Sequence, residues 1–165
     1  MGRKAKKGLK PLKQKELLIE PMKLKDLLEV MEIERQSYPS PWSLYLFIAE
    51  IKDNRFAHYL VMKQEEKIIA YGGMWVFMKE AHITNLVVHP SSRGKGYGKT
   101  LLKTLIQEAW ERGLEKITLE VRVSNLAARK LYQGRGFKVD RVRRNYYGSE
   151  DALLMYLCLK EERDS

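Results

Sequence analysis

The sequence predicts a mixed α/β domain with elements in the order β-α-α-β-β-β-α-β-α-β-β. The first observation is a change of apolar period, because short apolar or alternating runs indicate strands and steps of three or four residues indicate helices. The second is a short apolar run, Leu86–Val88, that leads through a glycine-rich loop into a helical pattern and then another strand. That connection favours a right-handed parallel step, whereas short polar turns elsewhere favour antiparallel hairpins. We therefore expect a mixed, mostly antiparallel central sheet.

Length and composition favour one globular, cytoplasmic domain. The 165 residues are 44% hydrophobic, enough for a sizeable core. No apolar run approaches the roughly 20 residues of a membrane helix, and no apolar segment near the start resembles a signal peptide, so no membrane contact is expected. The single cysteine, Cys158, lies in an apolar run. It is predicted to be a buried strand residue, and it excludes an internal disulfide and a cysteine-rich metal site.

Positive charge is concentrated at the N-terminus. Residues 1–15 hold seven lysines and arginines and no acid, so they carry +7 of the net charge of +10. Residues 1–16 are therefore predicted to be a disordered basic tail before a domain spanning 17–160, with 161–165 as a C-terminal tail. The basic tail is interpreted as a solvated segment that aids solubility. The alternative is a weak, salt-sensitive contact with RNA or the ribosome.

The first half of the domain is predicted to hold a strand, two helices and three further strands. Apolar residues at helical spacing after Lys23 indicate the first helix, which a segment with two prolines ends. Pro41 is expected near the start of the second helix, where its missing N–H costs little. Gly72 and Gly73 indicate a bulge in a strand. The predicted ranges are Leu17–Met22, Lys23–Ser37, Trp42–Lys52, Ala57–Lys63, Lys67–Met78 and Ala81–Val88.

The second half is predicted to alternate helices and strands and to end in a strand pair. The central helix begins near Lys99, and Gly113 is expected just after its last turn. The next helix is predicted to end at Gly134 or Gly136. The other predicted ranges are Ile117–Val123, Asn125–Gln133, Phe137–Asn145 and Asp151–Lys160.

Three glycines stand at the entrance of the central helix. Gly94, Gly96 and Gly98 let the backbone approach a ligand closely, and the free N–H groups and positive dipole end suit an anionic group such as phosphate. Their spacing matches neither the G-x-x-x-x-G-K-[ST] phosphate loop nor the dinucleotide fingerprint G-x-G-x-x-G. The alternative is a glycine turn that only begins the helix. Nearby positive charge comes from Arg93, Lys95 and Lys99.

Several strings of residues, taken together and in order, resemble the GNAT acetyltransferases. The resemblance covers about Leu17–Lys160, and within the family it is greatest to the RimI type, which acetylates the N-terminal alanine of a small-subunit ribosomal protein. The strings are P-W-S at 41–43, R-x-x-G-x-G at 93–98, L-E-V-R-V-S-N-L-A-A-R-K-L-Y-Q-G-R-G-F at 119–137, R-R-N-Y-Y-G at 143–148 and E-D-A-L-L-M at 150–155.

The resemblance implies an acid and a base for acetyl transfer from acetyl-CoA to an amine. The amine must lose a proton, the developing oxyanion must be stabilised, and the leaving thiolate must gain a proton. Glu120 matches the general base, acting through water, and Tyr132 matches the proton donor. Tyr132 lies seven residues after Asn125, so both share a helix face. The alternatives are a paired surface glutamate, a core tyrosine and an asparagine that caps the helix.

The resemblance also implies where the donor and the acceptor bind. The pyrophosphate of acetyl-CoA is expected on backbone N–H groups at 94–99, and the pantetheine on strand residues 86–88, with the N–H of Val88 a candidate to polarise the acetyl carbonyl. The alternative for Trp42 and Tyr146 is simple packing. The expected cofactor-binding residues are Leu86, Val87, Val88, Arg93, Gly94, Lys95, Gly96, Tyr97, Gly98, Lys99 and Asn125. The expected acceptor-binding residues are Tyr38, Trp42, Ser43, Asn145 and Tyr146.

The expected function is protein N-α-acetylation by direct attack in a ternary complex, with the N-terminus of a ribosomal protein as partner. Two alternatives remain open, namely a GNAT enzyme that acetylates a small amine and a non-catalytic module that docks on RNA or ribosomes. The three histidines, His58, His82 and His89, have no metal-ligand spacing and are interpreted as surface or strand residues, so no metal is expected.

Overall fold

The structure is a computed structural model that describes residues 16–163. Apart from Glu16, the predicted basic tail lies outside the described residues, and so do the last two residues of the predicted C-terminal tail. The N-terminal half contains β1 (Leu17–Pro21), α1 (Leu27–Ser37), α2 (Leu44–Lys52), β2 (Ala57–Gln64), β3 (Lys67–Phe77) and β4 (Glu80–Val88). The C-terminal half contains α3 (Tyr97–Glu111), β5 (Lys116–Arg122), α4 (Leu126–Gln133), β6 (Lys138–Arg143), β7 (Ala152–Cys158) and α5 (Lys160–Arg163).

The strands form one seven-stranded sheet in the order β1-β2-β3-β4-β5-β7-β6. The pairing of β4 with β5 is parallel, and the other five pairings are antiparallel, which confirms the predicted mixed sheet. The β4–β5 register ends at Ile83 and Leu119, although β4 continues to Val88 and β5 to Arg122. The two strands therefore diverge in the middle of the sheet.

Most predicted boundaries agree with the structure to within two residues. The exception is the helix predicted from Lys23, which begins as α1 at Leu27 after a 3-10 turn at Leu24–Asp26. Smaller differences have local causes. The helix predicted from Trp42 begins at Leu44, because the Ser43 side chain accepts the Leu46 N–H at 3.2 Å and caps the helix there. The strand predicted to reach Asn145 ends at Arg143, and Asn145 adopts a φ of +52°. The C-terminal tail predicted from 161 begins as the short helix α5.

The predicted bulge in β3 is confirmed by a register shift between Gly73 and Met74 in its pairing with β4. Gly73 is required there for a steric reason, since a Cβ atom would lie 2.2 Å from the ring of Tyr59. At the end of α3, Gly113 has a φ of +76° directly after the C-cap residue, as predicted.

The sheet separates two apolar cores, which the alternation of strand residues assigns to opposite faces. Leu60 and Met62 of β2 belong to the core that packs against α3 and α4, whereas Tyr59 and Val61 belong to the core under α1 and α2. No helix within residues 16–163 is long and apolar enough to cross a bilayer.

Candidate active site

A cavity of about 420 Å³ opens where β4 and β5 diverge. The split exposes residues of both strands, and the α1–α2 segment, the start of α4 and the β6–β7 loop complete the wall. Its lining residues are Glu34, Tyr38, Ser40, Trp42, Ile83, Thr84, Asn85, Leu86, Leu119, Glu120, Val121, Arg122, Asn125, Ala128, Tyr132 and Tyr147. The predicted base and acid, Glu120 and Tyr132, therefore line the same cavity.

Glu120 is a paired carboxylate whose side chain is 10% exposed. Its Oε2 lies 2.6 Å from Nε2 of His82, and its Oε1 lies 2.9 Å from a guanidinium nitrogen of Arg143. The hydrogen bond with His82, together with the positive charge of Arg143, lowers the pKa of Glu120 against the opposing effect of burial. Glu120 is therefore ionised at neutral pH and able to accept a proton. Arg122, two residues further along β5, does not pair with Glu120 but with Glu150, at 3.2 Å.

His82 connects two neighbouring strands. It pairs in register with Thr118 of β5, and its Nδ1 lies 2.7 Å from the Thr118 hydroxyl. A neutral ring that accepts from this hydroxyl at Nδ1 would donate from Nε2 to Glu120, so the network favours that tautomer. The sequence interpreted His82 only as a surface or strand histidine. Within residues 16–163 no group of three or more His, Cys, Asp and Glu side chains could hold a metal ion.

Tyr132 lies on the buried face of α4, with 8% of its surface exposed. Its ring packs against Phe137 at a centroid distance of 5.7 Å. Among the described residues its hydroxyl has no hydrogen-bond partner, although the residue lines the cavity. Burial, with smaller effects from Tyr38 and Tyr147, raises the pKa of Tyr132 above its ordinary value. The phenol therefore stays protonated at neutral pH and is free to donate into the cavity.

The glycine loop presents a row of unused backbone donors. The N–H groups of residues 94–99 have no acceptor in the part of the chain that the structure describes. Gly94 and Gly96 have φ values of +76° and +83°, which favour glycine, and a Cβ atom at either would meet nothing within 4 Å. These donors stand at the N-terminus of α3, a 15-residue helix, where its dipole adds positive potential. The arrangement fits a phosphate group.

Three predicted cofactor-binding side chains already have polar contacts within the protein, namely those of Arg93, Tyr97 and Asn125. The Tyr97 hydroxyl accepts a hydrogen bond from the Gln64 amide at 3.3 Å. Arg93 donates from Nε to the carbonyl oxygen of Val88 at 3.0 Å and from its guanidinium to Ser37 at 3.1 Å, so it ties the end of β4 to α1. Asn125 caps α4 by accepting the Ala128 N–H at 3.2 Å, and it also lines the cavity.

The predicted acceptor-binding residues are divided by the structure. Tyr38 and Trp42 line the cavity, whereas Ser43 caps α2 and lies outside the lining. Asn145 and Tyr146 also lie outside it. The sequence places the whole segment 143–147 beside the acceptor groove, and of that segment Tyr147 lines the cavity, with Arg122 stacked 4.1 Å from its ring centre.

A buried carboxylate holds the α1–α2 segment in place. No sequence pattern predicts it, because it lies on a helix among apolar positions. Glu34 is 1% exposed, accepts the Trp42 N–H at 3.0 Å and accepts the hydroxyl of Tyr71. Burial raises the pKa of Glu34. This one side chain therefore connects helix α1, strand β3 and the wall of the cavity.

Replacing Glu34 with alanine should lower the free energy of unfolding by about 2–4 kcal/mol, because two buried donors lose their acceptor. Urea denaturation followed by fluorescence measures the change. Glu34→Gln is the matched control, since its amide oxygen can still accept the Trp42 N–H. Glu34→Gln should lower the free energy of unfolding by less than about 1.5 kcal/mol. An equal loss in both variants would contradict this role.

Because the pKa of Glu34 is raised, the difference in stability between the wild type and Glu34→Gln should depend on pH. A carboxyl group whose folded pKa is raised contributes stability at low pH, and that stability is lost as the pH rises through the folded pKa. Glutamine cannot ionise. The stability of Glu34→Gln relative to the wild type should therefore increase as the pH is raised from about 4 to 7.

Comparison with known proteins agrees with this geometry. The sequence matches the acetyltransferase (GNAT) family over residues 27–137. A Bacillus subtilis protein is 39% identical over 142 residues, which are 85% of this chain and 94% of that protein. The [ribosomal protein bS18]-alanine N-acetyltransferase of Escherichia coli is 38% identical over 136 residues, 80% of this chain and 90% of that enzyme.

A solved structure shows the same architecture. The crystal structure of the ribosomal-protein-S18-alanine N-acetyltransferase from Escherichia coli superposes with a TM-score of 0.81 at 33% identity, covering 87% of this chain and 94% of that one. The GNAT family uses acetyl-CoA as its acetyl donor. With more than half of its length matched and relatives well above 30% identity, this chain belongs to the GNAT family of acetyltransferases.

Proposed function

We propose that this protein transfers the acetyl group of acetyl-CoA to the N-terminal α-amine of a ribosomal protein, with alanine at the first position. The observation that carries the proposal is the shared cavity, in which Glu120 and Tyr132 face the space between β4 and β5. Relatives that act on ribosomal protein bS18 support the identity of the acceptor. Since ribosomal proteins are made in the cytoplasm, we propose that the reaction occurs there.

The residues present fit acetyl-CoA. Backbone N–H groups at 94–99 would hold its pyrophosphate, since they have no acceptor among the described residues. The edge of β4 at Leu86–Val88, which β5 leaves unpaired, would hold the pantetheine as an added strand does. When bound, acetyl-CoA supplies an acetyl thioester that an amine can attack.

Glu120 acts as the base in this proposal. An N-terminal ammonium group has an ordinary pKa of about 8, so a large fraction carries a proton at neutral pH. Glu120 is ionised there because its pKa is lowered, and it can take this proton directly or through one water. His82 holds the second carboxylate oxygen and thereby fixes the orientation of the group.

Tyr132 acts as the acid. Its ring packs against Phe137, and its hydroxyl has no hydrogen-bond partner among the described residues. The hydroxyl can therefore donate its proton to the thiolate that leaves when the thioester is cleaved. Because its pKa is raised, the Tyr132 phenol stays protonated until the thiolate leaves.

A thiol-release assay with acetyl-CoA tests the proposed function. A peptide that begins with alanine should release thiol, and the same peptide with its N-terminus blocked and a lysine inside should release none. Small amines should be at least about tenfold poorer in kcat/KM, because they cannot use the walls formed by Tyr38, Trp42 and Tyr147. Equal rates with small amines would instead support the small-amine alternative, and no release with any amine would support the docking-module alternative.

The same assay can be repeated on a chain that lacks residues 1–15. Turnover of a short peptide should be unchanged, because the proposed catalytic groups all lie within the domain. We propose that the basic segment aids solubility; the alternative, a salt-sensitive contact with RNA phosphates, predicts a loss of activity in the shortened chain on intact ribosomal acceptors alone.

A further inference from the structure

The carboxylate of Glu120 has both oxygens occupied before any acceptor binds. Oε2 is held by His82 at 2.6 Å and Oε1 by Arg143 at 2.9 Å. An acceptor bound for proton transfer brings a cationic ammonium group to the same carboxylate. Each carboxylate oxygen can accept two hydrogen bonds, but the Glu120 side chain is only 10% exposed, so an ammonium group that reaches it competes with these partners for the small open part.

The two partners differ in how firmly they are held. His82 lies within β4, pairs in register with Thr118 and contacts its hydroxyl, so its backbone is held in the sheet and its ring has a second side-chain contact. Arg143 is the last residue of β6, a strand exposed along its whole length, and its side chain is 44% exposed. Two residues beyond it, Asn145 turns the chain with a φ of +52°. Arg143 is therefore the partner that can move.

Arg143 also has a second contact on the outer side. Its guanidinium carbon lies 5.5 Å from the ring centre of Tyr146, which is 48% exposed. A guanidinium released from Glu120 can keep this cation–π contact while it turns toward solvent. The movement thus needs only a side-chain rotation and leaves the pairing of β6 with β7 intact.

We propose that Arg143 occupies the ammonium position on Glu120 in the free enzyme, and that the acceptor must displace it. This inference rests on the proposed function and adds a determinant of specificity to it. A guanidinium and an ammonium group both donate charged hydrogen bonds to one oxygen, so they compete for it. A peptide acceptor makes further contacts with the cavity walls formed by Tyr38, Trp42 and Tyr147, and these contacts offset the free energy lost when Arg143 is displaced. A small amine has fewer such contacts, so it needs a higher concentration than a peptide to displace Arg143.

The kinetic test compares Arg143→Gln and Arg143→Lys with Arg144→Gln. Arg144 is the neighbouring arginine, and it forms no ion pair within residues 16–163. With acetyl-CoA saturating, Arg143→Gln should lower KM about three- to tenfold for an alanine-initiated peptide and for alaninamide, because the competitor is gone. Arg143→Lys should fall between, and Arg144→Gln should match the wild type. An unchanged or increased KM in Arg143→Gln would overturn the proposal.

A binding test keeps the inference separate from the proposed function and needs no turnover. The side-chain Nε–H signal of Arg143 in isotope-labelled wild-type protein is followed while alaninamide is added. Displacement predicts a saturable shift with alaninamide and none with N-acetylalaninamide, which carries no charge. Absence of any shift at saturating alaninamide would refute the displacement. Failure to acetylate peptides despite that shift would refute only the proposed function.

Discussion

Replacing Glu120 with glutamine should lower kcat for peptide acetylation about 10²- to 10³-fold at pH 7, which is the usual contribution of a general base. The substitution keeps the shape of the side chain and removes the charge that accepts the proton. Affinity for acetyl-CoA should change less than about twofold, since the proposed donor contacts are backbone groups of β4 and the glycine loop. Steady-state kinetics and calorimetry measure the two effects separately.

The pH profile distinguishes loss of the base from a general disturbance of the site. Without Glu120 the reaction depends on amine that has already lost its proton, and that fraction grows as the pH passes about 8. The defect of Glu120→Gln should therefore be largest below pH 7.5 and should shrink toward pH 9. Wild-type Glu120 stays ionised throughout, because its lowered pKa lies far below this range.

Glu150→Gln is the matched control for this experiment. Glu150 is a second paired carboxylate close by, bonded to Arg122 at 3.2 Å and to the Ser124 N–H at 2.8 Å, yet it does not line the cavity. Its replacement should change kcat less than about threefold. A folded Glu120→Gln protein with full activity at pH 7 would remove Glu120 from the mechanism.

Replacing Tyr132 with phenylalanine should lower kcat about 10²-fold, because the leaving sulfur loses its proton donor. Stability should be preserved, since the hydroxyl has no hydrogen-bond partner among the described residues and the ring keeps its packing on Phe137. KM for acetyl-CoA should be unchanged. Kinetics at saturating peptide, with thermal denaturation as a check of folding, measure these effects.

Tyr156→Phe is the control for the phenol. Tyr156 is a half-buried tyrosine of β7 that lies outside the cavity, with Lys116 over its ring at 5.6 Å. It should retain wild-type kcat. Because burial raises the pKa of Tyr132, the wild type should keep its kcat up to about pH 10.5, where an ordinary phenol with a pKa near 10 is mostly ionised. Retention of kcat in Tyr132→Phe would exclude the phenol as the acid.

Local chemistry explains why much of the fold was predictable. Gly113 follows the C-terminal end of helix α3, Gly73 lies at the bulge of β3, and Asn125 caps the start of helix α4. Each of these roles is typical of its residue type. The alternation of apolar residues along the strands gave their ranges, and a strand, loop and helix in succession gave the parallel step. These signals depend on neighbours within a few positions, which a sequence displays directly.

The contacts of Glu120, which the sequence did not predict, depend on how the strands pair across the sheet. His82, Glu120 and Arg143 come from β4, β5 and β6, and β6 is separated from β5 by the later strand β7. No local pattern reveals that order of strands. Glu34 was missed for a related reason, since its partners Trp42 and Tyr71 meet it only after helix α1 packs on the sheet.

The row of unused amide hydrogens at residues 94–99 has a consequence for how this enzyme tolerates mutation. A backbone N–H is present whatever the side chain, except in proline, so the charge and size of Lys95 and Lys99 can drift over evolution with little effect on donor binding. Gly94 and Gly96 cannot drift in the same way, because at positive φ a substitution changes the direction of the amides themselves. Among natural variants of this loop, the glycines that set the backbone conformation should therefore be retained, while the side chains at Lys95 and Lys99 should vary.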